Sequence, residues 1–189
     1  MPYYKTLQGK MCFLSPISSE SVERYTQWFN DLEMSKNLIT VSQMITLEGE
    51  KAFVDDMVKK GRYVFDIVTH RDEIHIGNIG LFDIDHLNGT AELGVAIGDK
   101  KYWNKGYGTE ALQLLCDYGF NILNLKNIML RYYEYNTRGG RCYEKVGFQY
   151  IGKRRKAKTI AGKTYNIVYM DLCADEFESP YVKSIVEGK

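Results

Sequence analysis

The chain has 189 residues, 44% of them hydrophobic, which suits one sizeable core and gives no reason to expect a second. Its 25 basic and 24 acidic residues leave a formal charge of +1, excluding a whole-molecule drive toward nucleic acid or anionic lipid. Four widely spaced cysteines with no CxxC pair, only three histidines and no long apolar run exclude a metal-built fold and a membrane span.

The start Met1-Pro2-Tyr3-Tyr4 has no signal-peptide apolar region, so a cytoplasmic protein with reduced thiols is expected. Met11 to Leu14 reads as the first strand. The start signal Ser18-Ser19-Glu20-Ser21 then opens a helix carrying Val22, Tyr25, Trp28 and Phe29 at helical spacing. A second helix fits Leu47 to Lys60, with Phe53, Val54, Met57 and Val58. Three strands follow, Tyr63 to Thr69, Ile74 to Ile84 and Thr90 to Ile97, separated by turns at Arg71-Asp72-Glu73 and Asn88-Gly89.

Beyond Ile97 the period changes. Gly108 to Asn124 reads as a helix with Ala111, Leu115, Tyr118 and Ile122 on one face. Asn127 to Tyr135 reads as a strand and Thr137 to Val146 as a short helix. Two last strands, Phe148 to Arg154 and Lys163 to Leu172, flank a turn at Ala161-Gly162. Helices interleaved with hairpins indicate a mixed sheet with helices packed on it.

The stretch Trp103-Asn104-Lys105-Gly106-Tyr107-Gly108-Thr109-Glu110-Ala111 carries the first chemical signal. Gly106 and Gly108 let a ligand approach the backbone closely, and a helix start offers unpaired N–H groups and a positive dipole end. A diphosphate matches that, although a plain strand-to-helix turn would look similar. The stretch lacks the Gly-Lys-Ser/Thr ending of a P-loop and the third glycine of a dinucleotide fingerprint. The second signal is Asn136-Thr137-Arg138-Gly139-Gly140-Arg141-Cys142-Tyr143-Glu144-Lys145-Val146-Gly147-Phe148. Asn136 suits a helix cap, Lys145 the last turn and Gly147 a left-handed stop. The pair Gly139-Gly140 either weakens this helix, by roughly 1 kcal/mol per glycine, or leaves a ligand more room.

The two segments, in this order, resemble the GCN5-related N-acetyltransferase (GNAT) superfamily, in the branch of the ribosomal-protein N-terminal and spermidine acetyltransferases. The first is similar to the family's Gln/Arg-x-x-Gly-x-Gly/Ala diphosphate loop, with Trp103 in the Gln/Arg position. The second is similar to its Asn-x-x-Ala/Ser-x-x-x-Tyr-x-Lys-x-Gly-Phe signature. The resemblance implies an α/β fold of the α+β type: a mixed, mostly antiparallel central sheet of about six or seven strands flanked by about four helices. It implies a single N-acetyltransferase domain over 1–174, followed by a polar tail over 175–189. Acetyl-CoA is the implied donor, held by Val95, Ala96, Ile97, Asn104, Lys105, Gly106, Tyr107, Gly108, Thr109 and Asn136. No metal is implied.

Attack on a thioester requires a neutral amine, whereas a lysine-like amine with a pKa of about 10.4 is almost wholly protonated at neutral pH. The resemblance gives Tyr143 as the general acid for the departing thiolate; as a residue it could equally be a core aromatic. Glu92 is the expected base. It shares its strand face with Gly94 and Ala96, which leave a groove, but a half-exposed surface glutamate would fit the same pattern. Cys142 has no histidine nearby in sequence to activate it for a covalent route.

The implied acceptor is a primary amine on a protein N-terminus, a polyamine or an amino sugar. The resemblance places its pocket between the first two helices, the strand near Asp83-Ile84-Asp85-His86 and the last hairpin, where Asp83, Asp85 and Glu92 would attract a cation. Trp28, Asn30 and Asp31 border that region or, for Trp28, enter the core. His86 reads as a turn residue. The run Lys153-Arg154-Arg155-Lys156-Ala157-Lys158 is either a solvated hairpin end or a contact for an acidic partner such as RNA. Neither a membrane nor, the basic run apart, a nucleic-acid partner is expected; dimers are frequent among similar enzymes. A non-catalytic acyl-CoA-binding regulatory module is the alternative on the same fold.

Overall fold

The computed structural model describes residues 3–39 and 41–188; Met1 and Pro2, part of the start read above for a leader, lie outside the described residues. The strands are β1 (Leu7–Gln8), β2 (Cys12–Pro16), β3 (Val64–Thr69), β4 (His75–Asp85), β5 (Thr90–Ile97), β6 (Asn127–Tyr133), β7 (Gln149–Ile160) and β8 (Lys163–Cys173). They form one sheet in the order β1-β2-β3-β4-β5-β6-β8-β7, antiparallel at every junction except β5–β6. β3 is buried at all of its positions because helices cover both faces of the sheet there. The sheet is mixed and mostly antiparallel, as expected. The eighth strand comes from β1, two residues too short to leave a period in the sequence. β7 also runs beyond Arg154 to Ile160, so the basic run lies along a strand and not at the hairpin tip. The tip is Ala161-Gly162, both with positive φ, which matches the twist a tight hairpin needs.

The helices are α1 (Val22–Asn30), α2 (Leu32–Ser35), α3 (Leu47–Lys59), α4 (Tyr107–Asn121), α5 (Thr137–Val146) and α6 (Val182–Val186). Four of them, α1, α3, α4 and α5, exceed two turns. Leu112, Leu115 and Ala111 of α4 are fully buried against Ile76, Leu81, Ile128 and Leu130 of the sheet, forming the main core. Each such leucine or isoleucine contributes about 1.5–3 kcal/mol. Tyr25, Val54 and Val64 form a second core under α1 and α3. Trp28 belongs to it: its ring lies 5.0 Å from that of His75 and covers Gly98, where an added Cβ would fall 2.0 Å from the indole.

Two buried carboxylates fasten α4. Glu110, 5% exposed, accepts from the N–H groups of Lys10, Met11 and Cys12, tying the β1–β2 turn to the first turn of the helix. Asp117 accepts from the Ser179 hydroxyl and from the N–H groups of Tyr181 and Val182. The stretch from Asp175 onward, read as a polar tail, is thereby carried back onto the body as far as α6. Its polar composition concealed this because the partner acid lies about sixty residues away.

Under α1, Asp66 of β3 accepts from the Ser21 and Tyr25 hydroxyls and lies 3.4 Å from His75 Nε2. Burial pushes the Asp66 carboxyl up to about 6 and the His75 imidazole down to about 4. Unfolded values are about 3.9 and 6.5. Between those limits folded Asp66 holds a proton the unfolded chain has lost, so its contribution to stability falls as pH rises. Folded His75 lacks a proton the unfolded chain holds, so its contribution rises with pH. The two slopes offset. Asp66→Asn leaves His75 alone, and its unfolding free energy should rise by roughly 3 kcal/mol between pH 4 and 6.5. Denaturant titrations at both pH values check this against a nearly flat wild type.

The junction of β5 with β6 positions the site. The two strands pair only at Thr90–Asn127, Ala91–Ile128 and Glu92–Met129. β5 continues to Ile97 on β4, and β6 continues to Tyr133 on β8, with no further pairing between them. A cleft therefore opens in the sheet directly beyond Glu92.

Candidate active site

The chain crosses from β5 to α4 through Trp103-Asn104-Lys105-Gly106. Asn104 has φ 58° and Gly106, the residue before the helix, has φ 92°. Such torsions turn successive N–H groups to one side, and an L side chain at 106 would be strained. The N–H groups of Lys105, Gly106, Tyr107, Gly108 and Thr109 find no acceptor among the described residues. The first internal bond of the turn is Glu110 N–H to Gly106 O, 3.0 Å. Five consecutive free donors at the positive end of a fifteen-residue helix form an anion-binding concavity.

That concavity opens into a cavity of ≈ 260 Å³ lying between the end of β5 and α5. Val95, Ala96 and Ile97 of β5 form one wall; Asn136, Gly139 and Tyr143 form the other. Asn136 caps α5 by accepting from Gly139 N–H, and Gly147, with φ 111°, ends the helix as expected. The glycine pair serves close packing. A Cβ at 139 would fall 2.6 Å from the Asn136 side chain, and one at 140 would fall 2.8 Å from the Tyr132 hydroxyl.

α5 also presents Arg138, Arg141 and Lys145 to the cavity, at i, i+3 and i+7 along one face. Trp103 donates its indole N–H to Ile97 O at 2.7 Å, and its ring lies 3.6 Å beneath the Arg138 guanidinium. The tryptophan thus holds the β5 terminus and orients a cation toward the cavity. Lys105, expected among the donor-holding residues, has its side chain over the Tyr102 ring and does not line the cavity, and neither does Tyr107. Their backbone N–H groups still belong to the donor row.

Tyr143 is 9% exposed, packed against Tyr132 and Phe148, and faces the cavity. Its hydroxyl makes no hydrogen bond among the described residues. Burial pushes its ionisation well above the usual tyrosine range, so the proton stays on at neutral pH. Cys142 also lines the cavity, 3.2 Å from the Thr109 hydroxyl, and burial raises its thiol, which disfavours a nucleophilic thiolate.

The far end of the cavity is closed by Met34 of α2 and by Asn37 and Leu38. Tyr135 donates to Lys36 O and Tyr133 donates to Ile39 O at 3.4 Å, so the end of β6 and the residues just after it hold this segment in place. Glu92 lies outside the cavity lining, where the strands begin to part. Its Oε1 accepts from Arg131 Nε at 2.7 Å, and its side chain is 21% exposed. Gly94 lies on its face under the edge of the Phe82 ring, and Ala96 lines the cavity. Asp85 caps the β4–β5 turn through the N–H groups of Leu87 and Asn88, and Asp31 pairs with Lys100; His86 is an exposed turn residue.

Of the expected donor-binding residues, Val95, Ala96, Ile97, Asn104, Gly106, Gly108, Thr109 and Asn136 come together around this one cavity, with Tyr143. Arg138, Arg141, Met34, Asn37 and Leu38 were not anticipated. The spacing of the basic residues on α5 was a usable signal; the α2 segment carries none.

Residues 12–149, most of the chain, match the family profile described as the acetyltransferase (GNAT) domain. The chain is 27% identical over 176 residues to an uncharacterized N-acetyltransferase p20 of Bacillus licheniformis, covering 92% of this chain and 98% of the relative. It is 30% identical over 128 residues to a spermidine N(1)-acetyltransferase of Escherichia coli, covering 65% of this chain and 68% of the relative. A crystal structure of spermidine N-acetyltransferase from Vibrio cholerae superposes with a TM-score of 0.79 at 18% identity, covering 87% of this chain and 96% of the other. A sheet parted between two parallel strands, a free N–H row at the following helix and this profile match agree: the chain belongs to the GNAT acetyltransferase family.

Proposed function

We propose that residues 1–174 form an N-acetyltransferase domain that moves an acetyl group from acetyl-CoA to a primary amine by direct attack. The observation that carries this reading is the unbroken row of free N–H groups from Lys105 to Thr109, opening into a cavity that Tyr143 lines. The residues present fit the donor. The row would hold the diphosphate, Arg138, Arg141 and Lys145 add cations beside it, and the β5 edge freed by the parting of β6 suits the amide-bearing arm. The Vibrio cholerae relative was crystallised with CoA and spermine, which supports both the donor and an amine acceptor.

Acetyl-CoA supplies an activated acyl group as a thioester. The amine nitrogen forms a bond to the acyl carbon, the carbon–sulfur bond breaks, and the thiolate leaves. Tyr143 keeps its proton and gives it, or a strong hydrogen bond, to the departing sulfur. Backbone N–H groups beside Val95 and Ala96 stabilise charge on the carbonyl oxygen. The ammonium proton leaves through water to Glu92, whose second oxygen, Oε2, has no partner among the described residues while Oε1 is held by Arg131. No acyl-enzyme is needed, in keeping with the raised Cys142 thiol.

Amine-dependent release of free thiol from acetyl-CoA, measured over polyamines, peptide N-termini and amino sugars, tests the reading. Donor binding with no release for any amine contradicts it and leaves a non-catalytic binding module. Glu92→Gln should displace the rising limb of the rate–pH profile to higher pH, because more of the amine must then be neutral before it binds. Rate–pH profiles of both forms check this, and an unmoved limb would assign the proton to another acceptor.

A further inference from the structure

The face of the sheet that bears Glu92 continues across β6, β8 and β7. Pairing registers set Arg131 opposite Tyr169, Tyr133 opposite Ile167 and Ile167 opposite Arg154, while Tyr165 stands opposite Lys158. Directly opposed residues in an antiparallel pair share a face, so Arg131, Arg154 and Lys158 all project on the Glu92 side. Lys158 Nζ lies 5.8 Å from the centre of the Tyr133 ring, and the hydroxyl of that ring touches the segment that closes the cavity. The cations therefore stand at the acceptor end.

Two of the three, Arg154 and Lys158, carry charge with no ion partner among the described residues, and Arg131, paired with Glu92, keeps free donors. Arg131 spends only Nε on Glu92, and its two terminal nitrogens have no acceptor among the described residues. Arg154 and Lys158 have no carboxylate partner there either. Of the acids on this face, Glu92 is ion-paired with Arg131, Asp171 accepts from the Asn127 amide at 2.7 Å, and Asp85 is turned to its own β4–β5 turn. A polyamine would meet Glu92 already paired with Arg131, beside two cations, Arg154 and Lys158, that have no carboxylate partner among the described residues.

Resting on the reading above, we propose that the acceptor is a primary amine carrying a carboxylate or phosphate, and that Arg131, Arg154 and Lys158 receive this anionic group. The β7 portion of the basic run is then part of the acceptor site. Carboxylate and phosphate share the chemistry that a guanidinium fork beside an ammonium recognises.

The test is kcat/KM with matched amines: γ-aminobutyrate against aminobutanol, phosphoethanolamine against ethanolamine, glucosamine phosphate against glucosamine, and putrescine and spermidine as the cationic arm. At least one anionic amine should exceed its neutral partner by roughly tenfold or more, as a gain of 1.4 kcal/mol implies, and should exceed both polyamines. The carboxylate and phosphate arms distinguish the two anions. The advantage should shrink with salt and collapse toward unity in Arg154→Ala combined with Lys158→Ala. Turnover of neutral or cationic amines at rates equal to or above the anionic ones overturns the inference alone, as does an advantage that survives in the double variant. Absence of turnover with every amine overturns the transferase reading as well.

Discussion

Tyr143→Phe should lower kcat by about 100-fold or more, the usual size of a general-acid contribution, while KM for acetyl-CoA changes by no more than a few fold. The side chain is anchored through its ring, against Tyr132 at 5.4 Å and Phe148 at 6.3 Å, and phenylalanine keeps both contacts. Only the hydroxyl is lost, and it has no hydrogen-bond partner within the described residues, so removing it leaves no buried group unpaired. The donor row lies on α4 and the α5 cations are untouched, so donor binding should persist. Steady-state rates with a saturating amine separate the two constants. An unchanged kcat would move the proton donor elsewhere.

Glu110→Ala should destabilise the fold by at least about 3 kcal/mol, the sum of stranding three N–H groups at roughly 1 kcal/mol or more each. The carboxylate accepts from Lys10, Met11 and Cys12 at 2.7 to 2.8 Å, and no water-exposed alternative stands beside Cys12, which is fully buried. For a chain of this size that corresponds to a melting temperature lower by roughly 6–12 °C. Thermal unfolding followed by circular dichroism measures it. The effect should also reach the site, because Glu110 begins the first internally bonded turn of α4 and Met11 lies 3.1 Å from where a Cβ on Gly106 would be. A drop below about 1 kcal/mol would mean that the β1–β2 turn finds other acceptors.

The central parts of this arrangement are local and therefore readable. The glycines of the donor row, the Asn136 cap, the Gly147 stop and Tyr143 occupy short contiguous segments whose torsions and periods follow from residue type. What escaped the sequence depends on contacts between distant segments. Glu92 meets Arg131 only because β5 and β6 pair in parallel for three residues, a register no composition reveals. The segment after α2 closes the cavity through the hydroxyls of Tyr133 and Tyr135, about a hundred residues away. Arg138 is aimed by the Trp103 ring, so the tryptophan that departs from the family's usual loop residue acquires a role through a stacking partner. Arg154 and Lys158 reach the Glu92 face only through the pairing of β6 with β8 and of β8 with β7, registers that no composition reveals.

All of this depends on a diphosphate seated against the N–H row that opens α4. Calorimetric titration of CoA, set beside the same titration of Gly106→Ala, addresses that most directly. The substitution forces a Cβ onto a φ of 92° and should either lose the row's geometry or be strained by about 1–2 kcal/mol. The account predicts saturable binding to the wild type, weakened roughly tenfold or more in the variant. Absence of binding to the wild type, or equal affinity in a folded Gly106→Ala, would contradict it.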